Sequence, residues 1–323
     1  MTAESIAPVY ERLFQIKLPL PIRPKGVQVY LFHNGDRSVL IDTGLSTEES
    51  LEVLHTSLRE IGCSFADIAV TICTHYHPDH YGASRRIKQL SGCEVLLHKA
   101  DSEYLFRTLL LNTNDYRKFL RSHGLPVNGT ALMPPAIRVL RDYYLPVVPD
   151  KYIADGETLD FGDFSLQVIW TPGHTPGHVV LYWNETRIMI VGDHLLPDIT
   201  PHVGIHTGLE GNPLDSYLDS LESLKGFEIA QVLPAHGPCF SDHQRRIKET
   251  FEHHEERQAA IVSRLDNSFA TAYELALSLF DQSLPDLHKE VAAYEVLAHL
   301  ELLKEKGKVQ MHTRDGVNHF ALQ

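Results

Sequence analysis

The sequence has few cysteines, and none of them are closely spaced. Cys63, Cys73, Cys93 and Cys239 are spread over 323 residues without a C-x-x-C pair. This pattern argues against a disulfide framework and against a thiolate-rich zinc site. We therefore expect reduced, mostly buried thiols in a cytoplasmic protein.

The sequence also lacks a long apolar run and a basic charge balance. No run approaches the ~18 apolar residues of a membrane-spanning helix, and residues 1–10 lack the pattern of a signal peptide. Lys and Arg number 29 against 42 Asp and Glu, which gives a formal charge of −13. This balance disfavours proteins that coat nucleic acid or anionic membranes. We expect a small-molecule substrate and neither a membrane nor a nucleic-acid partner.

One short stretch is rich in side chains that bind metals. His75, His77, Asp79 and His80 directly follow the apolar, β-prone run 68–73. Side chains two positions apart point the same way in an extended segment, so His75 and His77 can bind one ion while Asp79 and His80 face another. Imidazole and carboxylate ligands suit zinc first, and iron or manganese as well.

The spacing His75-x-His77-x-Asp79-His80 resembles the signature of the metallo-β-lactamase superfamily. The family's other motifs occur in its order, at Asp42, His174, Asp193 and His236. The resemblance covers roughly residues 10 to 245. It implies an α/β fold of the αββα sandwich type and hydrolysis by a metal-bound hydroxide.

The resemblance also implies ligands for two divalent metal ions. One ion would be bound by His75, His77 and His174, the other by Asp79, His80 and His236, and both by Asp193 as a bridge. Asp79 and Asp193 are the expected catalytic carboxylates, and Asp42 resembles a residue that orients one of the histidines. Two ions about 3.5–4 Å apart would share a hydroxide and polarise a substrate carbonyl.

Further residues near these motifs do not match a ligand position. We expect His194, His202 and His206 to contact substrate or to support the ligands. His178 is expected to support its loop by hydrogen bonding, and Tyr144 is a candidate substrate-binding residue.

In the rest of the first 245 residues, predicted strands alternate with predicted helices, as in an α/β fold. Strands are predicted at 27–32, 38–41, 68–73, 94–97, 164–170, 179–183, 187–191 and 231–233. Ser46-Thr47-Glu48-Glu49 is interpreted as a capping box that opens a helix ending before Gly62. Asp215 is expected to cap a helix after the long loop 195–212, and this loop is expected to contact substrate.

Between about residues 101 and 145 the alternation of strands and helices is interrupted. Apolar and aromatic residues at helical spacing predict a helical insertion; they include Tyr104, Leu105, Leu109, Tyr116, Phe119, Leu120, Ile137, Leu140 and Tyr144. We expect this insertion to cover the metal site as a cap, with aromatics lining a substrate pocket. Its six basic and four acidic residues fit an anionic substrate portion or a solvated helix face.

The sequence predicts two domains, residues 1–265 and 266–323. A charged helix at 241–265 carries His253 and His254, which we place on its solvated face. The second domain has the pattern of two helices and a β-hairpin and resembles a winged helix. Its five Lys or Arg against nine Asp or Glu favour a packing element or a homodimer contact over DNA binding.

The motifs resemble most the glyoxalase II-like thioesterases and the lactone or ester hydrolases. We therefore expect cleavage of a thioester, ester or lactone. Leu196 stands three positions after Asp193, where acyl-homoserine lactonases carry a tyrosine. Three alternatives remain open: a phosphodiesterase or nuclease with the same ligands, a sulfur dioxygenase with one iron, and a non-catalytic winged-helix binding protein.

Overall fold

The computed structural model describes residues 5–21, 24–127, 143–265 and 269–323. The strands are β1 (Ile6–Tyr10), β2 (Leu13–Pro19), β3 (Gly26–Phe32), β4 (Ser38–Ile41), β5 (Ile68–Ile72), β6 (Glu94–His98), β7 (Lys151–Ile153), β8 (Thr158–Asp160), β9 (Ser165–Trp170), β10 (Val179–Trp183), β11 (Ile188–Gly192), β12 (Gln231–Pro234), β13 (Val309–Arg314) and β14 (Val317–Leu322). The helices are α1 (Glu48–Ile61), α2 (Pro78–Tyr81), α3 (Ser84–Ser91), α4 (Lys99–Leu109), α5 (Thr113–Ser122), α6 (Pro213–Leu224), α7 (His243–Arg264), α8 (Ala272–Leu279) and α9 (Asp286–Glu305), with a short 3-10 helix at Phe65–Asp67.

Two sheets form the centre of the molecule. One sheet has the order β1 to β7, and the other has the order β12-β11-β10-β9-β8. Strands β4 to β7 run parallel to one another, as do β11 and β12, and the remaining pairs in both sheets are antiparallel. The expected mixed α/β architecture is confirmed.

Alternating residues on the strands serve different cores. On β10, Val179 and Leu181 pack between the two sheets, whereas Val180 and Tyr182 pack on the outer face against α6 and α7. On β4, Ile41 likewise belongs to the central core, and Leu40 belongs to the core beneath α1 and α3. Because successive strand side chains point to opposite faces, each sheet buries both of its faces. The result is a helix-sheet-sheet-helix sandwich.

Two strand pairs bring the candidate ligands to one edge. Parallel strands β4 and β5 end just before Asp42 and the loop that contains His75. Parallel strands β11 and β12 end just before Asp193 and His236. Since carboxyl ends of parallel strands lie on the same edge of a sheet, these loops meet above the sandwich.

Two N-cap predictions were wrong by a few positions. The N-cap of α1 is Thr47, whose side chain accepts a hydrogen bond from the Ser50 N–H, so the box starting at Ser46 is not formed. The N-cap of α6 is Asn212, not Asp215, and its side chain accepts from the Leu214 N–H. The C-terminal end of α1 is as expected, with Gly62 in the left-handed conformation at φ 90°.

The helical insertion is present as α4 and α5, which begin two residues before the predicted start. Ile137 and Leu140 lie outside the described residues. Tyr116 and Leu120 on α5 are buried in a core shared with α7, α8 and α9. The α5 aromatics therefore pack against the C-terminal part of the chain and not only against each other.

The C-terminal residues form α8, α9 and the β13-β14 hairpin, in the predicted order. Helix α9 packs on α6 and α7. It covers His254 of α7, so that His254 (2% exposed) and His299 of α9 (0% exposed) are both buried. The prediction of a solvated face was wrong for His254. The charge pattern of α7 does not reveal that α9, which follows it in the sequence, packs against this face. Among the described residues, no helix is long and apolar enough to cross a membrane.

Candidate metal centre

The loop after β5 changes conformation within the candidate ligand motif. His77 has φ −59° and ψ 153°, and Pro78 starts the one-turn helix α2, which carries Asp79 and His80. Residues 74–77 form bends and not an extended strand, so the extended-chain argument was wrong, although His75 and His77 still share one ligand group. A proline suits the first position of a helix because its missing N–H needs no partner there.

Three groups of ligand atoms meet at this edge of the sandwich. Within each group the atoms lie within 4.8 Å of one another; the groups are His75 with His77 and His174, His75 with His80 and Asp193, and Asp79 with His80 and His236. All seven predicted ligands are therefore brought together. His178, His194, His202 and His206 are in none of these groups.

Asp193 lies between the two outer groups. Its Oδ2 atom is 3.6 Å from Nε2 of His174, and its Oδ1 atom is 3.5 Å from Nε2 of both His80 and His236. Each carboxylate oxygen thus faces a different group. This arrangement is the one that a carboxylate bridging two cations requires.

The buried atoms that face the shared space fit a pair of divalent cations. Nε2 of His80, Nε2 of His174 and Oδ1 of Asp193 are buried and have no hydrogen-bond partner within the described residues. Burying such atoms without a partner costs about 1–3 kcal/mol each. Nε2 of His75 and Nδ1 of His77 are 3.1 Å apart, close to the ~3.3 Å between two ligands of a tetrahedral zinc ion with bonds of about 2.0–2.1 Å.

The other nitrogen of several candidate ligands is hydrogen-bonded, which fixes the ring. Nδ1 of His174 lies 2.7 Å from the carbonyl oxygen of His202, and Nδ1 of His236 lies 2.9 Å from that of Gly26. Nδ1 of His80 is 2.9 Å from Oδ2 of Asp42. Such contacts set the tautomer and leave Nε2 free to bind a metal.

Electrostatics favours the metal-binding forms of His75 and Asp79. Burial and the neighbouring histidines hold the pKa of His75 well below its usual value, which keeps the imidazole neutral. Burial alone would raise the pKa of Asp79, but His80 and His236 outweigh it and lower the pKa to about 2. Neutral imidazoles and ionised carboxylates are the forms that bind divalent metals.

Asp42 connects the ends of β4 and β5. Its Oδ1 accepts a hydrogen bond of 2.7 Å from the Thr74 N–H, and its Oδ2 accepts one of 2.9 Å from the Thr74 hydroxyl. Asp42 adopts a positive φ of 62°, a conformation that asparagine and aspartate tolerate better than most residues. The carboxylate therefore faces His80, the contact expected of an orienting residue.

The other residues singled out from the sequence lie around the ligands. Nδ1 of His178 is 2.9 Å from the Thr171 hydroxyl oxygen, and its Nε2 accepts from the Asp193 N–H at 3.2 Å. His194 is fully buried beside Tyr217, with ring centroids 5.1 Å apart. The Tyr144 hydroxyl donates to the Tyr76 carbonyl, so Tyr144 supports the loop between two candidate ligands.

The loop 195–212 contacts the C-terminal helix. The ring of His206 packs edge-on against Tyr294, with centroids 4.7 Å apart, and the Ile205 N–H donates to the Tyr294 carbonyl oxygen at 3.1 Å. The ring of His202 lies next to His206 at 5.5 Å. Helix α9 thereby supports the segment whose His202 carbonyl fixes His174.

Sequence reasoning missed Asp101. Its carboxylate accepts hydrogen bonds from Tyr76, Thr175 and Gly177, which lie in two ligand loops. Burial raises the pKa of Asp101 to about 7, and these hydrogen bonds act in the opposite direction. The one available signal is its position in the first turn of α4, where carboxylates are common for general reasons.

Comparison with known proteins shows the same fold over the whole chain. A family model described as the metallo-beta-lactamase superfamily matches residues 22–236. A probable metallo-hydrolase from Bacillus subtilis is 25% identical over 320 residues, covering 96% of this chain and 98% of that protein.

Two solved structures are similar as well. A metallo-beta-lactamase family protein from Thermus thermophilus has a TM-score of 0.87 and 29% identity, covering 98% of this chain and 100% of that one. A beta-lactamase domain protein from Burkholderia ambifaria has a TM-score of 0.85 and 23% identity, covering 100% and 96%. None of these names specifies a substrate, so the glyoxalase II-like or lactonase-like branch and the winged helix stay predictions.

Proposed function

Because the chain belongs to the metallo-beta-lactamase superfamily, we propose that it is a hydrolase with two divalent metal ions that cleaves a thioester, an ester or a lactone. The observation that carries the proposal is the position of Asp193, whose two oxygens face separate ligand groups. We propose zinc as the metal, with iron or manganese as alternatives, because the ligands are imidazoles and carboxylates.

The divalent ions, when bound, supply Lewis acidity and lower the pKa of water toward 7. The chain holds its ligands in place for this chemistry. Asp42 and the carbonyl groups of Gly26 and His202 hold the Nδ1 atoms of three candidate ligands, which are His80, His236 and His174 respectively. His178 accepts from the Asp193 N–H and so holds the backbone of the residue between the two groups. Substrate would therefore meet a site that needs little rearrangement.

The contacts of the seven proposed ligands favour a carbonyl substrate over a phosphodiester. Within the described residues their polar contacts are with His, Asp, Thr and backbone groups, and with no Lys or Arg. Enzymes that bind nucleic acids place positive charge against the phosphates. The chain's formal charge of −13 supports the same choice.

We further propose that residues 266–323 serve as a packing module for the site and not as a DNA-binding domain. Helix α9 contacts both the cap helix α5 and the loop 195–212. The hydroxyl of Tyr294 is 2.8 Å from that of Tyr116. A homodimer contact and a cytoplasmic location stay predictions.

The test is a substrate panel. Protein stripped of metal and reloaded with zinc, iron or manganese would be assayed on acyl thioesters, aryl esters, lactones and bis(p-nitrophenyl) phosphate. We expect metal-dependent turnover of at least one carbonyl substrate. Asp193→Asn should lower this turnover at least ~100-fold, since it alters the group between both ions. Asp219→Asn, on the exposed face of α6, should behave as wild type.

Two outcomes would overturn the assignment. Cleavage of the phosphodiester without turnover of any carbonyl substrate would identify a phosphodiesterase. One iron per chain, with oxygen consumed in the presence of a persulfide, would identify a sulfur dioxygenase.

A further inference from the structure

Asp101 is fully buried, and both oxygens of its carboxylate accept hydrogen bonds. Oδ2 accepts from the Tyr76 N–H at 2.8 Å and from the Thr175 hydroxyl at 2.9 Å. Oδ1 accepts from the Gly177 N–H at 2.5 Å. Leaving a buried polar atom without its partner is costly, so these three hydrogen bonds tie the donors firmly to Asp101.

The three donors belong to two separate loops of the metal centre. Tyr76 lies between His75 and His77 in the loop after β5, and Thr175 directly follows His174 in the loop after β9. These loops leave different sheets. Yet His75, His77 and His174 form one ligand group. The Asp101 carboxylate therefore joins the two loops that must stay together for that group to exist.

The Gly177 backbone fits closely against Asp101. A Cβ atom at position 177 would lie 2.4 Å from the Asp101 backbone nitrogen and 2.8 Å from its Cβ. Such distances are shorter than van der Waals contact, so any side chain there would push α4 away from the loop. This explains the glycine at position 177, and it shows that the contact leaves no room for water between the two backbones.

We propose that Asp101 is a positioning residue that holds His77 and His174 at the separation needed for the first metal ion. Their ring centroids are 4.6 Å apart. This inference rests on the metal-site assignment in the proposed function and not on the identity of the substrate. Asp101 does not contact the ligand rings, so its effect passes through the backbone on either side of them.

Substituting the carboxylate should weaken metal binding. In Asp101→Asn the amide group must turn its NH2 toward at least one of the three donors, which leaves that donor unpaired. In Thr175→Val the hydroxyl alone is lost from a side chain of nearly the same shape, whereas Thr175→Ser keeps it. Residues that support metal ligands in this way typically change metal affinity 10–100-fold.

The experiment measures metal binding by full-length protein after removal of metal with a chelator. Zinc is titrated in competition with a chromophoric chelator, and cobalt-loaded protein is examined by visible absorption, which reports ligand geometry. We expect Asp101→Asn and Thr175→Val to weaken one of two binding steps at least ~10-fold and to change the cobalt spectrum. Thr175→Ser should resemble wild type.

Glu103→Gln is the matched control. It makes the same change of carboxylate to amide on the exposed face of α4, two residues away, where Glu103 pairs with Lys99 at 3.6 Å. It should bind zinc and cobalt as wild type does.

The inference is overturned if Asp101→Asn and Thr175→Val melt at lower temperature but keep wild-type zinc affinity and cobalt spectra, because Asp101 would then stabilise the fold without positioning the ligands. If Asp101→Asn does not fold, the zinc affinity and cobalt spectrum of Thr175→Val decide the question alone. Failure of wild-type protein to bind zinc or cobalt would instead overturn the proposed function itself.

Discussion

The Oδ2 atom of Asp42, directly after β4, lies 2.9 Å from the Nδ1 atom of His80 in α2, and both residues are buried. The pKa of His80 is raised well above its usual value, because Asp193, Asp79 and Asp42 outweigh the effect of burial. His80 is thus surrounded by carboxylates on both of its nitrogens. A metal ion at Nε2 would take the place of a proton there, and Asp42 would hold the remaining N–H.

Replacing Asp42 with asparagine should weaken metal binding without breaking the fold. Asparagine tolerates the positive φ of this position but supplies no negative charge to His80. We expect metal affinity to fall about 10–100-fold, measured by zinc competition. Asp36→Asn, in the exposed turn before β4, is the control. Equal affinities for wild type and Asp42→Asn would show that the charge of Asp42 has no part in the site.

Removing one ligand group should remove one metal. His236 belongs only to the group with Asp79 and His80, so His236→Ala should retain about one ion per chain where wild type retains about two. Elemental analysis after dialysis measures this, and hydrolysis should fall at least ~100-fold because both ions act on the reacting groups. His312→Ala, on the exposed face of β13, should keep both ions. Full metal content in His236→Ala would exclude His236 as a ligand.

The His254 and His299 pair should make the protein acid-sensitive. Nδ1 of His254 lies 3.4 Å from Nε2 of His299. Burial, followed by His253 and Arg257, lowers the pKa of His254 to about 3. Burial, followed by His254 and Arg257, likewise lowers the pKa of His299 well below its usual value. The folded state therefore keeps both rings neutral, while the unfolded chain takes up protons below about pH 6.5.

Stability should consequently fall as pH decreases from about 6.5 toward 3. At pH 4.5 the loss attributable to His254 reaches at most about 2.7 kcal/mol, or two pH units at about 1.36 kcal/mol each. Chemical denaturation at pH 7 and pH 4.5 should show a smaller difference for His254→Gln than for wild type. His253→Gln, at the neighbouring and more exposed position, should retain most of the wild-type difference. If the difference in unfolding free energy between pH 7 and pH 4.5 is the same in His254→Gln as in wild type, protonation of His254 is not the cause of the acid sensitivity.

Tyr294 should affect substrate binding more than chemistry. Its hydroxyl donates to Glu290 at 2.6 Å and contacts Tyr116 on α5, while its ring packs on His206 in the loop 195–212. Tyr294→Phe should raise KM about 3–10-fold, consistent with the loss of one or two hydrogen bonds, with little change in kcat or metal content. Tyr273→Phe, at a less buried position of α8, is the matched control. A fall in kcat with KM unchanged would contradict this role.

The sequence was informative about the ligands because each one lies in a segment that begins where a strand ends. Side-chain type and position suffice there, since strand ends such as those of β5 and β11 converge by topology alone. Asp101 could not be predicted in the same way. Its role depends on donors 25 and 76 positions away in the chain, and nothing in its local pattern differs from an ordinary carboxylate in the first turn of a helix.

The remaining errors also come from long-range packing. His254 lies in a charged helix, and its burial depends on α9, which follows some thirty residues later. Strand β1 was not predicted, because Ile6–Tyr10 contains Pro8 and shows a mainly exposed pattern typical of an edge strand. Strands β2, β7 and β8 were missed as well. The caps at Thr47 and Asn212 were missed since several acceptable capping residues stand within one turn.

The most direct test of the metal centre is a crystal structure of zinc-loaded protein with anomalous diffraction measured at the zinc edge. We predict two peaks about 3.5–4 Å apart, one within bonding distance of His75, His77 and His174 and the other of Asp79, His80 and His236, with Asp193 between them. Peaks elsewhere, or an ordered site without any peak at saturating zinc, would contradict the account.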